Sequence, residues 1–428
     1  MKIVAIACGL LSPKKDYTEI NKKNLYLNYG LLGLCTLLAE HGHEIKQFQG
    51  EYLKPYELIE IINASDFNLS TIKTPVIISI VSFFSIDWCN ELTRIIKTEY
   101  GLKCIVGGKY VVDGNIMWLK EKLPYVFRFI EGDGEEIIES VLEDKSTHSQ
   151  IHNIPYQRLD YSLVHDYKKY NPYIELSRGC GRGCPYCADS CRKASKIKNA
   201  KNIINELAYY EKLYDYKPFN VYFQMPSFIA NKKWINDYQE SIRGLNHIIP
   251  WRCTARIDEI NTNTLTDLYA IGLRVIDLGL ESASSQQLIL MKKTTNPKEY
   301  LKKAKENLKA IYDAGIWAKL NILFTAGENK KTIGDTIDWL MNNKELIKGI
   351  SVNYETIFGP RNTLIEELIP LGASFVNEND LFEKGYSYIN LSEEIDYFKA
   401  KEIISAVLHE LRDCQRVFLI RFCLAVIV

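Results

Sequence analysis

The chain has 428 residues, and its 53 Lys and Arg balance 53 Asp and Glu, so the formal net charge is zero. Hydrophobic residues make up 46% of the sequence and charged residues 25%, which excludes a wholly disordered, collagen-like or coiled-coil chain. The balanced charge gives no electrostatic support for a nucleic acid or an acidic membrane as partner. The length indicates two or three domains.

Residues 1–145 alternate between strand-like and helix-like segments. The predicted strands are 2–8, 44–48, 76–83, 103–106 and 127–131, and the predicted helices are 29–41, 55–63, 86–99, 115–122 and 135–142. Near-continuous Val and Ile runs are typical of parallel strands that are buried on both faces. The pattern predicts an α/β fold that begins with a doubly wound, flavodoxin-like or Rossmann-like domain, in which ligands lie outside the carboxyl ends of the strands.

Residues 146–170 are polar and contain Pro155, which predicts a linker or a strap over the next domain. Strands are then predicted at 173–177, 220–225, 251–256, 275–281, 319–325 and 349–357. The clearest helix, 297–314, has Asn296 as its cap and Pro297 at its first position. These repeated βα units predict a (βα)6-type partial TIM barrel over residues 171–358, with its chemistry at the carboxyl-end mouth.

Residues 359–428 are predicted to form a mixed C-terminal extension with a helix at 393–412. The Tyr-rich segment 383–397 would either line a pocket or pack as a loop onto the barrel. The apolar stretch 417–428 is too short to span a membrane.

Four of the eleven cysteines, Cys180, Cys184, Cys187 and Cys191, lie close together in the sequence. Because the total is odd and no signal peptide is recognisable, we expect a cytoplasmic protein with a metal or catalytic cluster instead of disulfides. Cys180, Cys184 and Cys187 have the spacing C-x3-C-x2-C in a glycine-rich loop, and three thiolates would leave one iron of a [4Fe–4S] cluster open. A zinc site, or a closed cluster with Cys191 as fourth ligand, remains an alternative.

This cysteine spacing, with Tyr186 before the last cysteine and in a loop that leaves the first barrel strand, resembles the radical S-adenosylmethionine (SAM) superfamily. The doubly wound domain in front of it resembles the subclass with an N-terminal cobalamin (B12)-binding domain. The supporting stretches are ELSRGCGRGCPYCADSCRK, RIDEINTNTLTDLYAIGLRVIDLGLES, TAGENKKTIGDT, LYLNYGLLGLCTLLAEHGHEI, VSFFS, IVGGKYV and EGDGEE. The resemblance implies a [4Fe–4S] cluster, SAM and cobalamin as cofactors, and it implies that the extension 359–428 helps to form the substrate pocket.

The resemblance also implies roles for individual residues, with the cluster bound by Cys180, Cys184 and Cys187. SAM contacts are expected from Tyr186, Gln224, Arg256, Glu281, Thr325 and Gly327, and cobalamin contacts from Ser82, Gly107, Gly108, Gly132 and Gly134. A structural ion pair between Arg256 and Glu281 is an alternative for those two residues. The sequence departs from the family pattern in lacking an Asp-x-His motif and in having Met225 and Pro226 where paired Asp residues are common. Either the site differs locally, or Gln224 or Ser227 takes the place of the missing carboxylates.

The implied activity is that of a cobalamin-dependent radical SAM enzyme. It would reductively cleave SAM at the cluster to a 5′-deoxyadenosyl radical and, most simply, methylate an unactivated carbon of a small-molecule or peptide substrate. An electron donor such as flavodoxin or ferredoxin is the other expected partner, with no nucleic acid and no membrane. One alternative is a radical SAM enzyme of the same fold that cyclises, epimerises or rearranges its substrate without methyl transfer. A second alternative is a non-catalytic iron–sulfur electron carrier.

Overall fold

The structure, a computed structural model, describes residues 1–11, 25–27, 29–80, 82–136, 138, 158–187, 193–228, 230–360 and 364–411. Most of the predicted helix 135–142, as well as Cys191 and the apolar stretch 417–428, lie outside these residues. Within the described ranges, no helix has both the length and the apolar character that crossing a membrane requires.

The N-terminal part of the chain forms a five-stranded parallel sheet. Its strands are β1 (Lys2–Ala7), β3 (Glu44–Gln49), β4 (Val76–Ser79), β5 (Cys104–Gly107) and β6 (Arg128–Phe129), while β2 (Leu25–Tyr26) lies outside it. Helices α1 (Tyr29–Glu40), α2 (Pro55–Asn63), α3 (Ile86–Tyr100) and α4 (Asp113–Lys122) alternate with the strands. The spatial order β3-β1-β4-β5-β6 is the flavodoxin-like order, so the predicted doubly wound domain is confirmed.

Both faces of the first strand are buried, as the apolar run predicts. Ile3 and Ala5 enter a core that continues through α1 into the second sheet, whereas Val4 and Ile6 enter a separate core under α2, α3 and α4. The N-terminal sheet therefore packs on the rest of the molecule through its α1 face.

The described part of the predicted linker is a packed strap. Leu159, Tyr161 and Val164 are buried, and Val164 forms a parallel bridge with Gln47 of β3. The short strand β7 (Tyr170–Asn171) pairs in parallel with β2. The strap thus holds the two sheets together instead of merely connecting them.

Six parallel strands form the second sheet, in the sequential order of the chain. They are β8 (Tyr173–Glu175), β9 (Val221–Gln224), β10 (Trp251–Arg256), β11 (Leu273–Glu281), β12 (Trp317–Phe324) and β13 (Ile347–Tyr354). The helices between them are α5 (Ala200–Leu213), α6 (Lys232–Ser241), α7 (Leu265–Ala270), α8 (Ser285–Leu290), α9 (Pro297–Asp313) and α10 (Lys330–Asn342). This arrangement confirms the predicted (βα)6-type partial barrel, whose β8 and β13 are edge strands.

A charged network crosses three of these strands. Asp277 of β11 accepts two hydrogen bonds from Nη2 of Arg252, at 2.5 and 2.6 Å, and lies 3.1 Å from Nζ of Lys319. Burial alone would raise the pKa of Asp277, but the Arg252 and Lys319 charges bring it below its ordinary value. The network stabilises the neighbouring strands only while all its members are present, because an unpaired buried charge is costly.

Most predicted strands differ from the observed ones by one or two residues at an end, but two run further past the observed end. The strand predicted at 76–83 ends at Ser79, and Ser82 instead begins a short 3-10 turn by accepting a hydrogen bond from the Phe84 amide at 3.3 Å. The strand predicted at 349–357 divides at Glu355 into β13 and β14 (Thr356–Phe358). Strand β14 leaves the barrel and pairs with the C-terminal extension.

The extension contains β15 (Ser374–Phe375), β16 (Tyr386–Asn390), α11 (Leu364–Leu368), α12 (Asp380–Lys384) and α13 (Tyr397–Glu410). Strand β16 pairs antiparallel with β14 and β15. The extension also returns to the N-terminal domain, because Trp118 Nε1 donates a hydrogen bond to the Phe382 carbonyl and Phe83 stacks on Phe358 with ring centroids 6.1 Å apart. We name the group Phe83, Trp118, Phe358 and Tyr386 the aromatic seam.

Candidate active site

The cysteine loop leaves the carboxyl end of β8, the first barrel strand. Gly179, Gly181 and Gly183 all have left-handed backbone conformations, with φ between 67° and 72°. Residues other than glycine rarely adopt that backbone conformation, so glycine at alternate positions lets the loop turn tightly around the cysteines. Cys184 is buried and Cys180 and Cys187 are half-buried, and all three are free thiols.

The base of this loop is closed by Arg178 and Ser195. The Arg178 amide donates to Ser195 Oγ at 2.9 Å, and the Ser195 amide donates to the Arg178 carbonyl at 2.8 Å. Among the described residues, no three His, Cys, Asp or Glu side chains are close enough to share a single metal ion. In a cuboidal cluster each thiolate binds a different iron, so the three free thiols of this loop fit that group without converging on one point.

Several predicted SAM contacts lie together beside the cysteine loop. Burial raises the pKa of Tyr186, and the neighbouring Glu281 and Cys184 raise it further. Burial likewise raises the pKa of Tyr300 on α9, which has Glu281, Arg256 and Cys184 as neighbours. Tyr300 donates to the Gly279 and Leu280 carbonyls, at 3.2 and 3.0 Å. Tyr186, Arg256 and Glu281 therefore lie in one neighbourhood at the barrel mouth, around Tyr300.

The alternative of a direct ion pair between Arg256 and Glu281 is wrong. Arg256 Nε lies 3.1 Å from Asp258 Oδ1, and Arg256 Nη2 donates to the Lys293 carbonyl at 2.8 Å. Glu281 pairs instead with Lys293 Nζ at 3.2 Å. Glu281 has a left-handed backbone with φ of 66°, an uncommon conformation for a residue other than glycine and one that tends to cluster at functional sites.

A cavity of about 560 Å³ lies between the N-terminal sheet and the barrel mouth. From the first domain, its wall includes four of the predicted cobalamin contacts, Gly107, Gly108, Gly132 and Gly134. From the barrel, the wall includes Glu175, Ser177, Arg178, Gly179, Gln224 and Pro226. The carboxyl-end loops of both parallel sheets thus face one space, which reaches the first residues of the cysteine loop.

Gly108 shows why glycine is needed at this wall. Its φ is 123°, and an added Cβ would lie 2.5 Å from the Ile80 carbonyl oxygen. A side chain there would force the two strand ends apart. The glycine-lined wall therefore fits a large ligand that lies against backbone.

Tyr186, Arg256 and Glu281 lie around Tyr300 and not in the wall of this cavity, and three further predicted contacts lie at neither place. Ser82 is occupied with the turn at Phe84 described above. Thr325 is buried and donates to Gln287 Oε1 at 3.3 Å, while the Gly327 amide donates to the Leu391 carbonyl of the C-terminal extension at 2.8 Å. The extension therefore packs over the turn that follows β12.

Gln224 and Ser227 were the two candidates to take the place of the missing paired Asp residues. Gln224 lines the cavity, whereas the Ser227 hydroxyl accepts a hydrogen bond from the Arg256 amide at 3.3 Å. The geometry therefore favours Gln224 as the residue that faces a ligand.

Sequence reasoning missed four residues of the site: Arg178, Glu135, Lys293 and Tyr300. Arg178 lies within the SRGC stretch and Glu135 within EGDGEE, so both belong to motifs that support the resemblance. The resemblance assigns roles only to the glycines and cysteines of those motifs. Lys293 and Tyr300 carry no sequence signal, because they reach the site from the α8–α9 loop and from α9 only through the fold.

Comparison with known proteins gives both a family match and a shared fold. Residues 174–340 match the radical SAM superfamily. The cobalamin-dependent SAM radical enzyme OxsB, solved with aqua-cobalamin and SAM bound, is 16% identical, with a TM-score of 0.63 over 96% of this chain and 61% of its own. The radical SAM methyltransferase TsrM from Kitasatospora setae, solved with cobalamin and a [4Fe–4S] cluster bound, is 13% identical, with a TM-score of 0.67 over 95% and 91%. No curated protein sequence matches the chain.

At these identities the two solved structures establish the fold, and the chain spans less than two thirds of the length of OxsB. The family match includes the cysteine loop and the first five barrel strands, apart from the first residue of β8. It ends before β13. Residues 174–340 are thus similar to the radical SAM superfamily, and the described chain shares its fold with these two cobalamin-containing enzymes.

Proposed function

We propose that this chain is a cobalamin-dependent radical SAM enzyme that, most simply, methylates an unactivated carbon of a small-molecule or peptide substrate. The observation that carries the proposal is the single cavity onto which the glycine loops of the first domain and the barrel residues before Cys180 both open. We also retain the division into a cobalamin-binding-type domain (1–145), a strap (146–170), a barrel (171–358) and an extension (359–428) as part of this proposal.

When bound, the three cofactors would supply reductive cleavage of SAM to a 5′-deoxyadenosyl radical and a methyl group for transfer. The protein contributes binding and orientation. Cys180, Cys184 and Cys187 would hold the cluster, because all three belong to the glycine-rich loop that follows β8. The chain's remaining task is to exclude water from the cavity and to position the substrate.

Tyr186, Arg256, Glu281 and Gln224 are the proposed SAM contacts with the most structural support. The first three surround Tyr300, and Gln224 lines the cavity. Thr325 and Gly327 were also expected to contact SAM, and we keep them only as residues that shape the β12 end, since they pack against α8 and the extension.

Gly107, Gly108, Gly132 and Gly134 are the proposed cobalamin contacts, because they line the cavity. The cobalamin bound to OxsB and TsrM supports the proposal through the shared fold. Ser82 would act indirectly, through the turn that it caps beside the β4 end.

The test is anaerobic reconstitution with iron, sulfide and hydroxocobalamin, followed by incubation with SAM carrying a labelled methyl group and a strong one-electron reductant. The proposal predicts a retained corrinoid spectrum and the appearance of both 5′-deoxyadenosine and S-adenosylhomocysteine. A protein that makes 5′-deoxyadenosine but binds no corrinoid would support the non-methylating alternative. A protein that carries a cluster but forms neither product would support the electron-carrier alternative.

We further propose that a reduced flavodoxin or ferredoxin supplies the electron and that the enzyme works in the cytoplasm. None of the eight cysteines in the described part of the chain forms a disulfide, which agrees with a reducing compartment. Cys191→Ala should leave the iron content unchanged if the cluster keeps its fourth corner open.

A further inference from the structure

One ion cluster connects the two halves of the proposed site. The Arg178 guanidinium makes a bidentate contact with Glu175, with Nε to Oε1 at 2.8 Å and Nη2 to Oε2 at 3.1 Å. The same guanidinium donates to Glu135 Oε1 of the first domain at 3.3 Å, and Asp133 Oδ2 lies 3.9 Å away. Arg178 is the shared cation of three carboxylates from two domains.

The ion cluster around Arg178 is largely buried. The exposed fractions of the side chains are 19% for Arg178, 12% for Glu135 and 5% for Glu175. At this burial, removing one partner leaves the others poorly compensated, so the contact constrains the geometry more than an exposed surface pair does. Asp133 is half exposed and contributes less.

Arg178 is also fixed through its backbone to the cysteine loop. Its amide and carbonyl both bond to Ser195, and Cys180 lies only two residues beyond it. Gly132, Asp133, Gly134 and Glu135 line the cavity opposite Arg178 itself. A displacement of the 132–135 loop therefore reaches the base of the cysteine loop through one side chain.

We propose that Arg178 is a positioning residue that couples the 132–135 loop of the first domain to the cysteine loop of the barrel. The proposal extends the proposed function, because a ligand that orders residues 132–135 would thereby also order residues 179–187. The coupling requires the planar fork of arginine, which can serve Glu175 and Glu135 at once, whereas a lysine ammonium has no such fork.

The experiment compares Arg178→Gln, Glu135→Gln and the double variant in the reconstituted full-length protein, with Lys309→Gln as control. Lys309 forms an exposed pair with Asp313 on α9, at 2.7 Å, and should have no effect. Hydrogen exchange of residues 179–187 and the midpoint potential of the cluster are measured. A positioning role predicts about tenfold faster exchange in either single variant, and little more in the double variant.

The two single variants change the local charge in opposite directions, which separates positioning from simple electrostatics. If Arg178 acted only through its charge, its loss would lower the midpoint potential and the loss of the Glu135 charge would raise it, with exchange unchanged. That result would overturn the proposal, as would additive effects in the double variant or an Arg178→Lys variant that exchanges like the wild type.

Hydrogen exchange with added hydroxocobalamin tests the coupling separately from the proposed function. It should slow exchange in both 132–135 and 179–187 of the wild type, but only in 132–135 of Arg178→Gln. A wild type that binds no hydroxocobalamin would remove cobalamin from the proposed function, while the comparison of the ligand-free variants would still decide the role of Arg178. A corrinoid that slows both segments equally in the wild type and in Arg178→Gln would overturn the coupling.

Discussion

Glu328, directly after the turn that follows β12, is a fully buried carboxyl group with an unusual titration. Thr332 Oγ1 donates to Glu328 Oε2, but Oε1 has no hydrogen-bond partner among the described residues. Burial raises the pKa of Glu328 from 4.5 to about 7. Below about pH 7 the folded protein therefore favours the protonated form of the Glu328 carboxyl group, and Glu328→Gln should imitate that form.

The pH dependence follows from the direction of this change. A group whose pKa is higher in the folded state contributes its stability fully below about pH 4.5, and the contribution is lost as the pH rises through about 7. At about 1.4 kcal/mol per pH unit, roughly 2.5 kcal/mol is lost between pH 5 and pH 8. Because the amide does not ionise, Glu328→Gln should gain about that much stability relative to the wild type over the same interval.

Urea unfolding of the full-length protein at pH 5 and pH 8 measures this difference. The exposed Glu306 on α9 provides a matched control, since Glu306→Gln should change stability equally at both pH values. If Glu328→Gln also changed stability equally at pH 5 and pH 8, the carboxyl group would be ionised in the folded protein and the burial argument would be refuted.

Three further predictions concern the cluster, the cavity and the barrel. Cys184→Ala should abolish iron and sulfide binding on reconstitution, whereas the buried Cys253→Ala should retain both; equal iron contents would contradict the ligand assignment. Gly108→Ala, with its added Cβ 2.5 Å from a backbone oxygen, should weaken hydroxocobalamin binding about tenfold in a visible titration, and unchanged affinity would remove this wall from the site. Asp277→Ala should cost about 3 to 5 kcal/mol in urea unfolding because it leaves Arg252 uncompensated. The wild type should also lose stability as the pH falls through the lowered pKa of Asp277, and a variant as stable as the wild type would refute the network's role.

Local patterns were sufficient for the architecture. The strand at Trp251–Arg256 and the helix at Pro55–Asn63 have the bounds that the sequence predicted. Helix α9 begins as expected, with the Asn296 side chain accepting from the Glu299 amide at 3.2 Å. These features depend on periodicity and on capping, both of which are written in a few adjacent residues.

The sequence did not predict which side chains form ion pairs across long sequence separations. Arg256 and Glu281 do end neighbouring strands, but Arg256 aligns with Gly279, and Lys293 from the following loop pairs with the Glu281 carboxylate. Arg178 and Glu135 are 43 residues apart and come from different domains, so no local pattern relates them. Such partners are set by how the two sheets dock.

The turn after β12 shows a different limit. The sequence placed Thr325 and Gly327 correctly at a strand end, yet the C-terminal extension, which carries no readable motif, covers that turn through the Gly327–Leu391 hydrogen bond. A segment without a motif can decide which members of a recognised motif remain available to a ligand.

The aromatic seam brings the C-terminal extension back into contact with the first domain, after the chain has left that domain through the strap and formed the barrel. The packing at the seam is tight at Gly385, because an added Cβ would lie 2.5 Å from a Phe83 ring carbon and 2.6 Å from a Trp118 ring carbon. A hinge needs one pivot, whereas the described residues attach the two lobes at the strap, at the Arg178–Glu135 contact and at the aromatic seam. Rigid-body swinging would have to break all of these contacts, so we expect ligand entry and product release to depend on rearrangement of individual loops.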